Sequence, residues 1–182
     1  MKSTYVGISA SSVMKRAGWK WGVAVIVLDL AKALVPTLIV RILYPENSFH
    51  LVMAAAVMIG HVWPIWWRFL GGRGQATLLG GALAIDLLAI PVALLGSAVV
   101  GLVGFTSVYM ARNMFPAIAI PWFAVMADGA HVWWAIVINV VYWVASRNDV
   151  RDDLRIRKAK GIPQLGYLPR LRRAWHDFLN ED

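Results

Sequence analysis

The chain has 182 residues, 59% of them hydrophobic and only 15% charged, with a formal net charge of +8. A soluble domain has no use for so much apolar length, whereas a helix needs roughly 20 apolar residues to cross a bilayer, and several such runs occur. The runs are continuous rather than alternating, which argues against a β-barrel; cysteine is absent, which removes disulfides and thiolate metal sites; and basic residues at span ends answer to membrane topology and anionic headgroups rather than to nucleic acid.

Met1–Gly18 is small and polar, ends near Lys15-Arg16, and has no apolar core before a cleavage site. It reads as a non-spanning cytoplasmic segment and not as a signal peptide. Trp19–Tyr44 is the first expected span, with Pro36 as a tolerated kink, and Pro45-Glu46-Asn47 is a short outer turn. His50–Phe69 returns and delivers the glycine-rich loop Gly71-Gly72-Arg73-Gly74. Ala76 to about Leu95 goes out, Gly96–Ala111 comes back, Asn113–Met126 goes out again, and His131–Ser146 returns after an Asp128-Gly129 turn.

The expected fold is therefore all-α: a polytopic membrane protein of about six transmembrane helices with both termini cytoplasmic. Lys2, Lys15, Arg16, Lys20, Arg68, Arg73, Arg112 and Arg147 fall on the inner side in that arrangement, and Arg41 is the exception. Residues 1–146 form the membrane domain and 147–182 a basic cytoplasmic tail. In that tail Leu168, Leu171, Trp175, Phe178 and Leu179 recur at helical spacing among arginines, as expected of an amphipathic helix lying on an anionic leaflet.

Few residues carry chemistry. Asp29 and Lys32 lie three apart in the first span and share a helix face. They form either a structural ion pair or a pair facing a polar site, since intramembrane charges are costly and face protein or water. Asp86 is left to meet Lys32 or Arg41 across helices, again in either capacity. His61 reads as hydrogen-bonded packing ahead of a catalytic role, and His50, His131 and His176 offer no metal spacing. Most of the ten tryptophans are expected at the membrane interface, with Trp63, Trp66 and Trp67 also candidates to line an acyl groove. Gly71–Gly74 is the sharpest feature: glycines expose backbone N–H groups and Arg73 adds a charged fork, a combination suited to phosphate or carboxylate. It lacks the Gly-Lys-Ser/Thr ending of a nucleotide-binding loop, and its plainer reading is a tight, positively charged turn.

This stretch resembles the second motif of the acyl-phosphate:glycerol-3-phosphate acyltransferases (the PlsY family), Gly-His-x-Phe-Pro-x-Phe-x-x-Phe-Lys-Gly-Gly-Lys-Gly-Val-Ala-Thr. Gly60, His61, Pro64, Phe69, Gly71, Gly72, Gly74, Ala76 and Thr77 match it, with Trp63 and Trp66 for phenylalanines and Arg73 for a lysine. Asp29 and Lys32 match an upstream Asp-x-x-Lys, and Ser107 stands where the family has a serine. The family's first motif, Gly-Ser-Gly-Asn-x-Gly-Ala-Thr-Asn and an arginine, corresponds to Thr4–Ser12 and Lys15. Its third, His-Arg-Glu-Asn-Ile, corresponds to Ser146–Val150, with Asp149 for the asparagine. The family's first span has no counterpart, so the chain is expected to lack it.

The resemblance implies transfer of a fatty acyl group from acyl phosphate to glycerol 3-phosphate in phospholipid synthesis, in the cell membrane, at a site facing the cytoplasm, with no metal and no cofactor. Arg73, Ser107, Lys15 and His61 become the expected catalytic residues. Gly71, Gly72, Gly74, Ser9, Ser11, Arg16 and Lys32 become the expected phosphate-binding set, and membrane lipids the surroundings. Because the first and third motifs depart from the pattern, a non-catalytic lipid-binding or scaffold subunit with a membrane-protein partner stands as the alternative. A transporter ranks third, on Asp29, Lys32 and Asp86 alone.

Overall fold

A computed structural model describes residues 10–104 and 114–161, and every regular element among them is helical. α1 (Ala10–Ala17) ends at Gly18, whose φ of 98° suits only glycine without strain. α2 (Trp19–Leu43) is mostly apolar and carries Pro36 in its interior; α3 (Phe49–Val62) follows a five-residue connection and gives way to a 3-10 turn at Ile65–Trp67. α4 (Gln75–Ile85), α5 (Ala89–Gly104), α6 (Phe115–Met126) and the long α7 (Gly129–Ala159) complete the described bundle. Arg112, His176 and the expected tail helix through Leu179 lie outside the described residues.

Among the described residues three segments are long and apolar enough to cross a membrane, Trp19–Leu43, Phe49–Trp67 and Gly129–Ala159. α4 and α6 have 11 and 12 residues, which at about 1.5 Å per residue falls well short of a 30 Å hydrocarbon layer. Large apolar side chains remain exposed along the helices, Val27, Leu28, Ile42, Val125 and Val140 among them, as lipid-facing surfaces require.

The helices meet where side chains are smallest. At Gly80 a Cβ would lie 2.1 Å from the Leu30 carbonyl oxygen, so α4 crosses α2 with backbone against backbone. At Gly81 a Cβ would reach the Ala54 methyl of α3 at 3.0 Å. On the far side of the bundle Phe123 meets Trp134 edge to face, Phe115 meets Tyr142 likewise, and Asn139 Nδ2 donates to the Pro116 carbonyl at 2.7 Å. These contacts tie α6 to α7 without leaving a buried amide unpaired.

One stretch departs from its expected course. The apolar run from Ala76 towards Leu95 does not continue as one helix but breaks at Asp86–Leu88. Asp86 takes an extended backbone; its carboxylate accepts the Leu88 amide at 2.8 Å and the Trp122 indole N–H at 2.7 Å. Among the described residues Asp86 therefore bonds neither Lys32 nor Arg41, contrary to expectation. Arg41 instead donates to the Ala84 and Ile85 carbonyls at 2.6 and 2.9 Å, filling the acceptors that the end of α4 leaves open. A basic residue at odds with the expected orientation thus caps the end of α4.

The Gly80 crossing is testable. Gly80→Ala should cost about 1–3 kcal/mol and lower the thermal midpoint in detergent, because the added methyl meets backbone and cannot move aside. Gly60→Ala, with nothing within 4 Å of the added carbon, should be neutral or gain about 0.5–1 kcal/mol. A second test concerns Asp128, whose side chain caps α7 by accepting the His131 amide at 3.1 Å and its imidazole N–H at 2.7 Å. Those bonds, the imidazole's first, hold its carboxyl below the usual pKa. The stabilisation is present above the unfolded carboxylate pKa and lost as pH falls through the depressed folded one. Asp128→Ala should therefore lower the midpoint at neutral pH and converge on the parent in strong acid.

Candidate functional site

The last carbonyls of a helix have no partners within it, and in a membrane such groups must be satisfied by protein. α3 meets this need with the loop that follows. The Gly71 amide donates to the Val62 carbonyl at 3.2 Å and the Gly72 amide to the His61 carbonyl at 3.1 Å. The chain doubles back so tightly that a Cβ at Gly71 would lie 2.1 Å from the His61 oxygen, and one at Gly72 would lie 2.1 Å from His61 Nε2. Reaching this fold takes two successive left-handed residues, Arg68 (φ 53°) and Phe69 (φ 61°), and then Gly74 (φ 80°) to enter α4. Two of the amides expected to receive phosphate thus donate to α3 carbonyls.

The same loop draws in the intramembrane charges. Lys32 of α2 bonds Asp29 at 2.6 Å and also contacts His61 Nδ1; Asp29 lies 3.5 Å from that nitrogen. His61, 14% exposed in its side chain, thus has one ring nitrogen on the α2 pair and the other against Gly72. Lys32 stays 40% exposed in its side chain, so protein does not enclose the cluster on every side. Asp29, Lys32 and His61 are one cluster, which no spacing within a single helix could show.

Arg73 turns to α7. Its Nη2 donates to Asp149 Oδ1 at 2.8 Å and its Nε lies 2.5 Å from Oδ2, a forked pair in which Asp149 is only 5% exposed. Beside it Gln75 Nε2 donates to the Tyr142 hydroxyl at 2.8 Å. Tyr142, Ser146 and Asp149 form one buried stripe on α7 at helical spacing. Ser146 Oγ and Thr77 Oγ1 are fully enclosed and find no partner among the described residues.

Between the loop and α7 lies a cleft of about 560 Å³. One wall is apolar, with Val62, Trp63, Phe69 and Leu70 leading to Gly71 and Gly72, and Val144 and Ala145 extend it. The other is polar, formed by Arg147, Asn148, Arg151, Asp152 and Arg155. Trp63 lines this cleft as expected, whereas Trp66 and Trp67 do not; Trp66 is 88% exposed, as an interface anchor would be.

Of the expected site residues, the structure gathers His61, Lys32, Gly71, Gly72, Arg73 and Gly74. It leaves Lys15 and Arg16 exposed on α1, away from the cleft lining. Ser9, Ser107 and the side chain of Ser11 lie outside the described residues. Asp149 and the arginines of α7 were not expected at the site. Asp149 could have been found, because it and Arg73 are both positions where the chain departs from the resemblance, and each is the other's partner. Among the described residues no cluster of His, Asp or Glu suited to a metal ion occurs.

The sequence profile of the glycerol-3-phosphate acyltransferase family matches residues 4–155. A glycerol-3-phosphate acyltransferase of Anaeromyxobacter dehalogenans is 32% identical over 166 residues, covering 84% of this chain and 79% of the relative. One of Maridesulfovibrio salexigens is 34% identical over 158 residues, covering 84% and 75%. Two crystal structures of PlsY, an integral membrane glycerol 3-phosphate acyltransferase, superpose with a TM-score of 0.71. The lysophosphatidic acid form is 25% identical and covers 89% of this chain and 81% of that one; the glycerol 3-phosphate form is 26% identical, covering 91% and 81%. These likenesses do not favour the scaffold alternative.

The forked pair should behave as one unit. Asp149→Ala removes the carboxylate half of a nearly buried pair and should lower the thermal midpoint in detergent, by about 3–5 kcal/mol of stability. Replacing both residues by apolar ones should cost far less than the sum of the single changes, the non-additivity a double-mutant cycle reads directly. Gly72→Ala should be severe for the clash with His61, and His61→Ala added to it should restore part of the loss.

Proposed function

The chain belongs to the glycerol-3-phosphate acyltransferase family, and on that premise we infer that it is a membrane acyltransferase of phospholipid synthesis that uses glycerol 3-phosphate as acceptor. The single observation that carries the reading is the glycine-rich loop folded against α3, with the Asp29–Lys32–His61 cluster on one side and the α7 cleft on the other.

In the proposed reaction an acyl phosphate is the donor. A glycerol 3-phosphate hydroxyl oxygen attacks the acyl carbonyl carbon, the new ester bond forms, and the bond from that carbon to the phosphate oxygen breaks. The hydroxyl proton leaves with inorganic phosphate. Because the donor is already activated, the protein's task is to hold two anions close and to stabilise developing charge. The apolar wall from Val62 to Leu70 suits the start of an acyl chain, and the polar wall suits phosphate. Lys32, open on one side, is placed to meet a substrate anion, and His61 holds the loop in register with it. Lys15, Arg16, Ser9, Ser11 and Ser107 remain proposed partners of the anionic substrates; Arg73 acts through the loop.

The proposed topology has about six spans with both termini and the active face cytoplasmic, in the cell's inner or plasma membrane. Its support is the distribution of basic residues, with the Arg41 exception now accounted for by its bonds to α4. Residues 1–146 are the proposed membrane domain and 147–182 a basic tail, although α7 runs unbroken through that boundary as far as Ala159.

Purified protein supplied with an acyl phosphate and glycerol 3-phosphate should release phosphate and form lysophosphatidic acid in equal amounts. No transfer by well-folded protein would overturn the reading. His61→Ala should lower kcat/KM by on the order of a hundredfold, since a shift of about 1 Å in a positioning element can cost that much.

A further inference from the structure

α3 is too short to cross a bilayer by itself. Its 14 residues, at about 1.5 Å each, cover roughly 21 Å of a hydrocarbon layer roughly 30 Å thick. The segment Phe49–Trp67 reaches spanning length only when the turn after Val62 is counted in. A side-chain contact fixes the level at which the helix stops. His61 meets Asp29 and Lys32, which lie 10 and 13 positions beyond Trp19 in α2. That contact is therefore about 15–20 Å from the end where α2 begins.

The chain that continues from there is apolar and uncovered. Ile65, Trp66 and Trp67 are 71%, 88% and 64% exposed, and Phe69 and Leu70 are 60% and 72% exposed. Leu70 stands where the resembled motif has its first lysine, and Arg68 is the one charge between Ile65 and Leu70. Five exposed apolar residues among six form a patch that a surface facing water avoids. The same turn meets what hydrocarbon demands of non-helical backbone. Each amide from Trp67 to Gly72 donates to a backbone carbonyl at 3.0–3.2 Å, and every acceptor lies between His61 and Trp67. Polar backbone at membrane depth has to be paired in this way within the protein.

We propose that the Ile65–Leu70 turn is embedded in the lipid leaflet, where it completes the crossing that α3 leaves unfinished. The occupant of its exposed face is lipid, with acyl chains around Ile65, Trp66 and Trp67 and an anionic headgroup at Arg68. Two observations favour lipid over a protein partner. α3 already exposes Val52 and Ile59 as a lipid-facing helix does, and the turn continues that exposure. The end of the bundle towards which the turn runs also carries exposed Arg16 and Lys20, a charge that suits anionic headgroups. Arg68 can lay its apolar stem along the chains and hold its guanidinium among the phosphates. The embedded turn keeps the Gly71–Gly74 loop near headgroup level, where an amphiphile carries its phosphate, and it stands whether or not the chain transfers acyl groups.

The chain has no cysteine, so a single introduced one takes a nitroxide label at a defined position. Trp66→Cys and Ile65→Cys replace exposed side chains, and Lys158→Cys, exposed near the end of α7, is the water-side reference. Each full-length variant is labelled and reconstituted in vesicles of phosphatidylcholine and phosphatidylglycerol. Relaxation by oxygen, which enters lipid, is compared with relaxation by a nickel chelate, which stays in water. Labels at positions 65 and 66 should lie about 5–10 Å below the lipid phosphates, and the label at 158 outside them. Nickel relaxing the label at 66 as strongly as the one at 158 would place the turn in water and overturn the proposal. Shielding from both reagents would overturn it too, because that pattern means cover by a second copy or another protein. Unlabelled protein gives an independent reading. Bromines on the lipid chains should quench tryptophan emission, and Trp66→Phe with Trp67→Phe should lower the quenched share; an unchanged share overturns lipid contact at the turn. Neither reading uses turnover, so failure of the acyltransferase reading leaves this one intact.

Discussion

The end of α3 is the constraint from which the rest of the site follows. His61 and Val62 carry carbonyls that no further helical turn can satisfy, and the Gly71 and Gly72 amides come back to satisfy them. Leaving such groups unpaired in a hydrocarbon environment costs several kcal/mol each, so the loop is bound to α3 as firmly as a strand to its neighbour. No side chain fits at either glycine, and the His61 ring is pressed beneath Gly72 as a consequence. From that placement the ring can reach back to Lys32 and Asp29, and the chain can leave through Gly74 into α4. One backbone requirement therefore sets the loop, the histidine and the direction of the next helix.

Charge inside the bundle is then handled by pairing rather than by avoidance. Asp29 with Lys32, Arg73 with Asp149, and Arg41 with the open carbonyls of α4 each place a polar group where it has a partner. The α2 pair stays partly open, the loop pair is nearly closed, and the α7 arginines that line the cleft stay exposed. The pairs thus differ in how far protein encloses them, although all of them read simply as basic or acidic residues near the membrane. It also explains why α7 continues past its apolar segment: the turns beyond Ser146 bring Asp149 to the loop and the arginines to the cleft.

The Asp86 break shows where sequence reasoning lost the thread. An aspartate in an apolar run was read as a charge inside a continuous span seeking a cation. In the structure it ends one helix and starts the next, because its carboxylate can take the Leu88 amide locally and the Trp122 indole from another helix. The local half of that choice was available from aspartate's preference for helix ends, but the indole was not. The glycine loop shows a different limit: its motif carries the family resemblance, while the composition alone could not say that two of its amides face inward.

The sequence by itself determined the class, the family and where four of the helices begin. Unbroken apolar length admits little but membrane helices, the run Gly60–Thr77 carries the family pattern, and α2, α3, α6 and α7 begin within two or three residues of where caps, prolines and polar turns put them. Tertiary structure alone decided the roles. Arg73 and Arg151 are equally arginine in the sequence, and only the meeting of the loop with α7 sets one against Asp149 and leaves the other facing a cleft. The reason is physical: helix formation depends on bonds within a few residues of each other, whereas the availability of a charge depends on what another helix, 76 residues away in the chain, brings within 3 Å of it.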